Sequence, residues 1–223
     1  MSRWIYLSHF LDTSTPAYGG GETFQTVFLK SMERNDSCNT ARWTLPNHIG
    51  THIDCPRHFS RNGKTLSDYP AEFWLFKSVS FVDISPVTPA QQIDMTVLQF
   101  GKILPETDLL LIKTGFGEKR SDQVYWEENP SFSSDLAEYL RKQCTKLRVM
   151  GFDTISLSSW KDRELGRKAH RAFLDTQQPI MLLEDMDFSQ FESGTPIIQV
   201  IISPLPVRNA DASPCTVLAE VEV

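Results

Sequence analysis

The sequence lacks any continuous apolar stretch near the ~20 residues that a membrane-spanning helix needs. It also lacks a dense run of lysine or arginine, and its net charge is -6, which argues against nucleic acid as a partner. The N-terminal segment MSRWIYLSHFLDTSTP contains no uninterrupted apolar region of the kind found in secretory signals. We therefore expect a cytoplasmic protein whose partner is a small-molecule substrate.

Cysteine is scarce and dispersed. The four thiols, at Cys38, Cys55, Cys144 and Cys215, form no CxxC pair. Without an export signal we expect all of them to be reduced, because disulfides are rare in the cytoplasm. No internal repeat, low-complexity tract or linker interrupts the 223 residues, so the length predicts one domain that covers residues 1–223.

Short apolar, β-branched runs separated by turn residues dominate the sequence. Eight have the length of strands: WIYL, TVFLK, SVSFVDI, DLLLIKTG, KLRVMGFD, PIMLLE, PIIQVIIS and TVLAEVEV. Two segments have helical spacing instead, SSDLAEYLRKQC and KDRELGRKAHRAFLD, the second with Leu165, Ala169 and Phe173 on one side. Strands outnumber helices and do not alternate regularly with them. This pattern predicts an α/β domain with a mixed sheet or barrel-like β core flanked by helices, rather than a doubly wound sheet.

Three of the five histidines fall in one short segment, HIGTHIDCPRHF. His48 and His52 are four residues apart, as in helical zinc motifs, but Gly50 and Pro56 disfavour a helix here. We expect a tight loop that follows a strand in NTARWTLPN, in which Gly50 adopts a backbone conformation closed to other residues. Two imidazoles and the carboxylate of Asp54 suit zinc or manganese better than calcium or magnesium.

Structural interpretations of these residues remain open. The histidines could be hydrogen-bonded surface or core residues, and Asp54 could cap a turn. His170 lies in a predicted helix, where a single histidine is often idle, and Glu184 at the end of an apolar strand could pair with lysine or arginine. Three titratable rings within eleven residues nevertheless favour a functional site.

The pattern HxGTHxDxPxHF resembles the signature of the cyclase-like metal-dependent hydrolases, the family of bacterial kynurenine formamidase and isatin hydrolase. Every position of the signature matches here. Further segments extend the resemblance over most of the chain: YLSHFLDTSTPAYGG, MGFDT, AHRAFLDTQQPIMLLEDMD and PLPVRNADASP. The resemblance implies a swivelling β/β/α cyclase-like fold, one or two divalent ions (zinc or manganese), and assembly as a homodimer or homotetramer.

The same resemblance implies a set of metal ligands: His48, His52, Asp54, His170 and Glu184. The separation between His170 and Glu184 is two residues longer than in the family, so Asp185 is an alternative to Glu184. Near the end of the chain, Ala212 and Thr216 stand where the family has glycine and arginine, which leaves the substrate open.

The catalytic histidine of the family falls on His58, where it could transfer a proton without binding metal. The aromatic residue of the family's opening segment falls on Tyr18. Phe59 is a further candidate for the substrate pocket, and so is Trp126 or Tyr125 in the long loop TGFGEKRSDQVYWEENPSF. For most aromatic residues, packing in the core is the competing interpretation.

These residues together predict a metal-dependent hydrolase of a small cyclic or aryl amide or ester. A divalent ion lowers the pKa of bound water from about 16 toward about 7, so that hydroxide forms at neutral pH. Two alternatives remain open: ring chemistry such as cyclisation or dehydration, and a binding protein without catalysis. The basic run RELGRKAHR is interpreted mainly as a solvated helix face.

Overall fold

The structure is a computed structural model that describes residues 1–98 and 103–223. Within these ranges the chain forms thirteen strands and four α-helices. The strands are β1 (Ser2–Tyr6), β2 (Gln25–Lys30), β3 (Thr40–Thr44), β4 (His52–Asp54), β5 (Leu75–Phe76), β6 (Val79–Asp83), β7 (Gln92–Ile93), β8 (Leu109–Lys113), β9 (Ser131–Phe132), β10 (Val149–Phe152), β11 (Met181–Glu184), β12 (Ile197–Pro204) and β13 (Ala212–Glu222). The helices are α1 (Met95–Leu98), α2 (Val124–Glu127), α3 (Ser134–Gln143) and α4 (Arg163–Leu174). Among the described residues, no helix has the length and apolar character needed to cross a membrane.

One mixed sheet organises the molecule. Its strands run in the order β5-β12-β13-β4-β11-β10-β8-β6, and β1 pairs with the remaining length of β13. Strands β11, β10, β8 and β6 are parallel to one another, whereas the other pairings are antiparallel. The two ends of the sheet approach each other where β12 contacts β6. The sheet is therefore nearly closed, which confirms the predicted mixed, barrel-like β core.

Apolar side chains fill both sides of this sheet. Leu109 and Leu111 of β8 point into the cluster that the curled sheet encloses. Leu110 and Ile112 point to the opposite face, where α3 and α4 pack. Successive side chains of a strand alternate between faces, so a strand buried on both sides is continuously apolar. This explains why DLLLIKTG forms a strand although it does not alternate with polar residues.

Helix α4 buries Ala169 and Phe173 of the predicted face but exposes Leu165. Leu165, predicted on the same side as Ala169 and Phe173, is 49% exposed, whereas Gly166 and His170 are buried. A Cβ atom at position 166 would lie 2.2 Å from Oγ of Ser158, so only glycine allows the helix to approach this loop so closely. The predicted position of Leu165 was wrong, because this close approach at Gly166 sets the rotation of the helix.

The segment HIGTHIDCPRHF is a loop only in its first part. His48 follows β3 in a loop, and Gly50 has φ of 61°, where an added Cβ would lie 2.3 Å from Cδ2 of Leu11. His52 and Asp54 instead begin and end β4, which pairs with β11 on one side and β13 on the other. The prediction of a continuous tight loop was wrong beyond Gly50, because backbone partners on both sides hold this part extended.

Candidate metal centre

Strands β4 and β11 bring three predicted ligands together. His52 and Asp54 are two residues apart on β4, so their side chains project from the same face of the sheet, while Ile53 packs into the core. Glu184 lies directly opposite His52 in the antiparallel partner β11. Nε2 of His52 is 3.4 Å from Oε2 of Glu184 and 3.5 Å from Oδ1 of Asp54. All three side chains are buried.

His170 approaches the same carboxylates from α4. Its Nε2 lies 3.8 Å from Oδ2 of Asp54 and 3.7 Å from Oε1 of Glu184. The other ring nitrogen, Nδ1, donates to the carbonyl oxygen of Gly166 at 3.0 Å and lies 2.9 Å from Oγ of Ser158. The helix therefore fixes the ring so that Nε2 faces the strands.

His48 and His58 complete the cluster, and both are hydrogen-bonded to Asp211, a residue that the sequence analysis missed. Nε2 of His48 and Nδ1 of His58 lie 3.1 and 3.2 Å from Oδ2 of Asp211. Their other nitrogens face Asp54, at 2.9 Å from Oδ1 for His48 and 3.9 Å from Oδ2 for His58. The signal for Asp211 was its place directly before Ala212, which pairs with Asp54 across β13 and β4.

The four imidazoles share one arrangement: one nitrogen is hydrogen-bonded away from the cluster, and the other faces Asp54. In His52, Nδ1 donates to the carbonyl oxygen of Gly50 at 2.8 Å, so Nε2 presents a lone pair. This Nε2 and Oδ2 of Asp54 are buried without a hydrogen-bond partner among the described residues, and Oδ1 of Asp54 has Nδ1 of His48 at 2.9 Å. Lone pairs and carboxylate oxygens that face one another at these distances repel unless positive charge lies between them. The donor set therefore fits a divalent cation.

The pKa values of these groups show that the site favours protonated imidazoles beside ionised carboxylates. Burial lowers the pKa of His48, but Asp54 and Asp211 outweigh burial and raise it to about 10. Burial also lowers the pKa of His170, but Glu184 and Asp54 raise it above its ordinary value. For Asp54, burial raises the pKa, yet the surrounding imidazoles hold it well below its usual range. The surrounding imidazoles thus stabilise the charged form of the buried Asp54 carboxylate.

Two donor groups overlap at Asp54. His48, Asp54 and His58 form one group, and His52, Asp54 and Glu184 form the other, each with ligand atoms within 4.8 Å of one another. Because Asp54 belongs to both, its two oxygens can serve one ion or two. The first group also places His58 close enough to bind metal, in addition to its predicted role in proton transfer.

Asp185, the alternative to Glu184, points away from the cluster. Its φ of 53° turns the backbone after β11. The carboxylate receives hydrogen bonds from Nε and Nη2 of Arg120 at 2.7–3.1 Å and from the hydroxyl group of Tyr125. The structure therefore brings Glu184, and not Asp185, to the imidazoles.

A cavity of about 280 Å³ opens onto the cluster. Tyr18 and Phe59, two predicted substrate-binding residues, line it, and the ring of Phe59 stacks on His170 with 4.6 Å between centroids. Trp126 is half-buried and packs against the cluster that contains Tyr125. In the described part of the chain, Trp126 is not among the residues that line this cavity.

Two arginines from the basic run of α4, Arg163 and Arg167, also line the cavity. Both are exposed to solvent, as the interpretation of a solvated helix face requires. That interpretation did not anticipate that this face borders the cavity. Arg163 and Arg167 border the cavity because α4 turns this side toward the site, and the same orientation places His170 among the carboxylates.

Convergent imidazoles and carboxylates on central strands of a mixed sheet, beneath a small cavity, are the arrangement of a metal-dependent hydrolase. The chain belongs to the cyclase family: the family model described as "Putative cyclase" matches residues 5–159.

Similar proteins cover nearly the whole chain. The chain is 28% identical over 220 residues to a kynurenine formamidase of Bacillus cereus, in an alignment that covers 96% of this chain and 95% of the relative. It is 26% identical over 213 residues to the kynurenine formamidase of Bacillus anthracis, with the same coverage. Among solved structures, isatin hydrolase A from Labrenzia aggregata has a TM-score of 0.83 at 19% identity, covering 99% of this chain and 94% of that one. A predicted metal-dependent hydrolase from Bacillus stearothermophilus has a TM-score of 0.77 at 18% identity, covering 99% and 98%.

Proposed function

We propose that the protein hydrolyses a small amide, lactam or lactone at a centre that binds one or two zinc or manganese ions. The observation that carries the proposal is the shared orientation of four imidazoles around the buried carboxylate of Asp54. The ligands are the predicted set: His48, His52, Asp54, His170 and Glu184. When bound, a divalent ion polarises a carbonyl group and lowers the pKa of water. The kynurenine formamidases and isatin hydrolases among the similar proteins support amide and lactam substrates.

His58 transfers the proton in this proposal. Its Nδ1–H group is held by Asp211, which leaves Nε2 as the proton acceptor on the cavity side. Burial lowers the pKa of His58, so the ring is neutral at pH 7. It takes a proton from water as the water oxygen bonds to the carbonyl carbon. It then returns the proton to the leaving nitrogen or oxygen as the bond to the carbonyl carbon breaks, which yields a carboxylic acid and an amine or alcohol.

Tyr18 and Phe59 bind the substrate on either side of the cluster. Phe59 offers an apolar ring, stacked on His170, that suits a flat aromatic substrate. Burial and the charge of Glu184 raise the pKa of Tyr18 to about 12, although nearby arginines lower it. The hydroxyl group of Tyr18 therefore stays protonated at neutral pH and can donate a hydrogen bond to the substrate.

The proposal is tested by a substrate screen of protein stripped with a chelator and reloaded with zinc or manganese. We expect hydrolysis of at least one of N-formylkynurenine, isatin and an aryl lactone, dependent on the added metal. An Asp54→Asn variant, which removes the carboxylate shared by both donor groups, serves as the matched inactive control. Stoichiometric metal without turnover of any of these substrates would instead favour a binding protein.

We also propose that the protein assembles as a homodimer or homotetramer. The β2–β3 hairpin exposes Val27, Phe28, Leu29 and Trp43, each of which is 48–68% accessible. Several large apolar side chains exposed on one hairpin are typical of protein interfaces. Light scattering after size exclusion should give a multiple of the 25.4 kDa chain mass, and Phe28→Ser should lower it. A wild-type monomer at all concentrations would contradict the proposal.

A cytoplasmic location is proposed as well. It is supported by the four cysteines, all of which are free thiols in the structure.

A further inference from the structure

Helix α4 carries three cavity-lining residues on one face: Arg163, Arg167 and His170. They are four and three residues apart, so at 100° per residue their side chains leave the helix within about 60° of one another. At 1.5 Å per residue, Arg167 and Arg163 stand about 4.5 and 10.5 Å from His170 along the helix axis. The same helix thus joins the metal centre to a pair of guanidinium groups farther along the cavity.

These guanidinium groups have no carboxylate partner. Although the chain is acidic, none of the ion pairs among the described residues involves Arg163 or Arg167. The carboxylates of the cavity, Asp54 and Glu184, are instead surrounded by imidazoles. Two positive charges on one cavity wall therefore remain available to a ligand.

The wall around Arg163 is ordered by packing. Its guanidinium group lies over the ring of Trp160, 4.7 Å from the centroid, and Trp160 in turn contacts Tyr18 edge to face at 5.2 Å. Gly19 makes room for this ring, because a Cβ atom there would lie 2.2 Å from Trp160. Tyr18 lines the same cavity as Arg163 and Arg167, and their charges lower the pKa of its hydroxyl group against the effect of burial. An arginine stacked on an aromatic ring is preorganised for a planar anion.

We propose that Arg163 and Arg167 form a subsite for a carboxylate group of the substrate, so that the protein prefers amides or esters that carry an anionic substituent. The proposal rests on the proposed hydrolase function and specifies its substrate class. Guanidinium groups bind carboxylates through paired, charge-assisted hydrogen bonds, which a neutral substrate does not form. Both arginines act as binding residues at a distance from the scissile bond.

The kinetic test compares formanilide with ortho-formamidobenzoate, which differ only in the carboxylate. We expect the metal-loaded wild-type protein to have a kcat/KM about 10–100-fold higher for the carboxylate substrate, the range typical of a hydrogen bond to a charged group. Arg167→Gln and Arg163→Gln should each reduce this ratio about tenfold, mainly through KM. Arg171→Gln, an exposed arginine of the same helix that does not line the cavity, is the matched control and should preserve the ratio.

A binding test separates this proposal from the hydrolase function. Isothermal titration calorimetry of the metal-loaded protein compares ortho-aminobenzoate with the neutral ortho-aminobenzamide. We expect the wild type to favour the anion and the Arg163→Gln/Arg167→Gln double variant to lose that preference, while Arg171→Gln keeps it. If no formamide is hydrolysed but the anion preference depends on the arginines, the hydrolase substrate is wrong and the subsite stands. Equal binding of the anion to wild type and double variant, or no preference in the wild type, would overturn the subsite.

Discussion

Glu184 faces His52 across the β4–β11 pair, with 3.4 Å between Oε2 and Nε2, whereas the adjacent carboxylate of Asp185 is turned into a buried pair with Arg120. The left-handed backbone of Asp185 produces this division. Glu184 is therefore surrounded by groups that can bind metal, whereas Asp185 is paired with the guanidinium group of Arg120 and hydrogen-bonded by Tyr125. The two residues should respond differently to the same chemical change.

Replacing the carboxylate of Glu184 should weaken metal binding. In Glu184→Gln the side-chain oxygen can still accept the hydrogen bond from the Leu157 amide, now 2.8 Å long, so the fold should persist. The lost charge should lower metal affinity by more than about 100-fold, beyond the cost typical of residues outside the coordination sphere. Equilibrium dialysis against zinc and manganese measures this. Unchanged affinity in Glu184→Gln, or a loss as large in Asp185→Asn, would contradict the assignment of Glu184.

Replacing the carboxylate of Asp185 should affect stability instead. The side chain of Asp185 is 1% exposed and that of Arg120 is 18% exposed. Asp185→Asn leaves the guanidinium group of Arg120 without its counter-charge, which typically costs about 3–5 kcal/mol in the free energy of unfolding. Urea denaturation measures this loss. Glu138→Gln, which removes an exposed pair with Lys142, is the control and should leave the unfolding curve nearly unchanged.

Local sequence patterns predicted the strands and most of the fold because short apolar runs bounded by turns leave few alternatives. The β8 segment illustrates this, since Leu109 to Ile112 pair with β10 on one side and β6 on the other, in the middle of the parallel strands. The rotation of α4 could not be predicted in the same way. It depends on the close contact between Gly166 in the helix and Ser158 in the preceding loop. A helical wheel alone did not distinguish Leu165 from the residues that are buried.

The candidate site shows the same limit. The spacing of His52 and Asp54 and the family resemblance were sufficient to identify residues that converge in the structure. Asp211 was missed because its contacts with two imidazoles follow from pairing between β13 and β4, which are more than 150 residues apart along the chain. Trp126 was chosen from loop composition alone, and composition does not show whether a segment borders the cavity.

His58 should control the acid limb of the pH profile. Burial, together with the charges of His48 and His170, lowers its pKa, against the opposing effect of Asp54. The neutral ring is the base, and its fraction rises as the pH rises through this lowered pKa. We therefore expect kcat/KM to rise with pH through an apparent pKa below the ordinary value for histidine and to level off above it. A cation bound nearby would lower the pKa of His58 further, so it would shift the acid limb in the same direction, toward lower pH.

His58→Ala separates proton transfer from metal binding. If His58 is the proton shuttle, kcat should fall about 10²–10⁴-fold, the acid limb should disappear, and metal content should stay at the wild-type value. Elemental analysis of the variant provides the control. A parallel loss of metal and activity would show that His58 binds the ion, as its place beside His48 and Asp54 allows.

Asp211 should position both His48 and His58 without contacting the substrate. Its carboxylate accepts a hydrogen bond from each ring, and these bonds hold its pKa well below the usual range. Both rings share Oδ2 of Asp211, and Nδ2 of Asn47 donates to Oδ1. In Asp211→Asn the amide NH2 group must therefore face either the two rings or Asn47, and the negative charge that both rings share is lost. We expect kcat/KM to fall about 10–100-fold, as for other residues that orient metal ligands, together with a shift of the acid limb.

The shift of the acid limb distinguishes positioning from a general loss of structure. Asp187→Asn removes a carboxylate that lies 3.6 Å from His9, a histidine outside the cavity, and provides the matched control. Its pH profile should follow the wild type. If Asp211→Asn lowers kcat/KM at every pH by the same factor, with no shift of the limb, then Asp211 does not set the protonation of His58. Its contribution would then be confined to orienting His48.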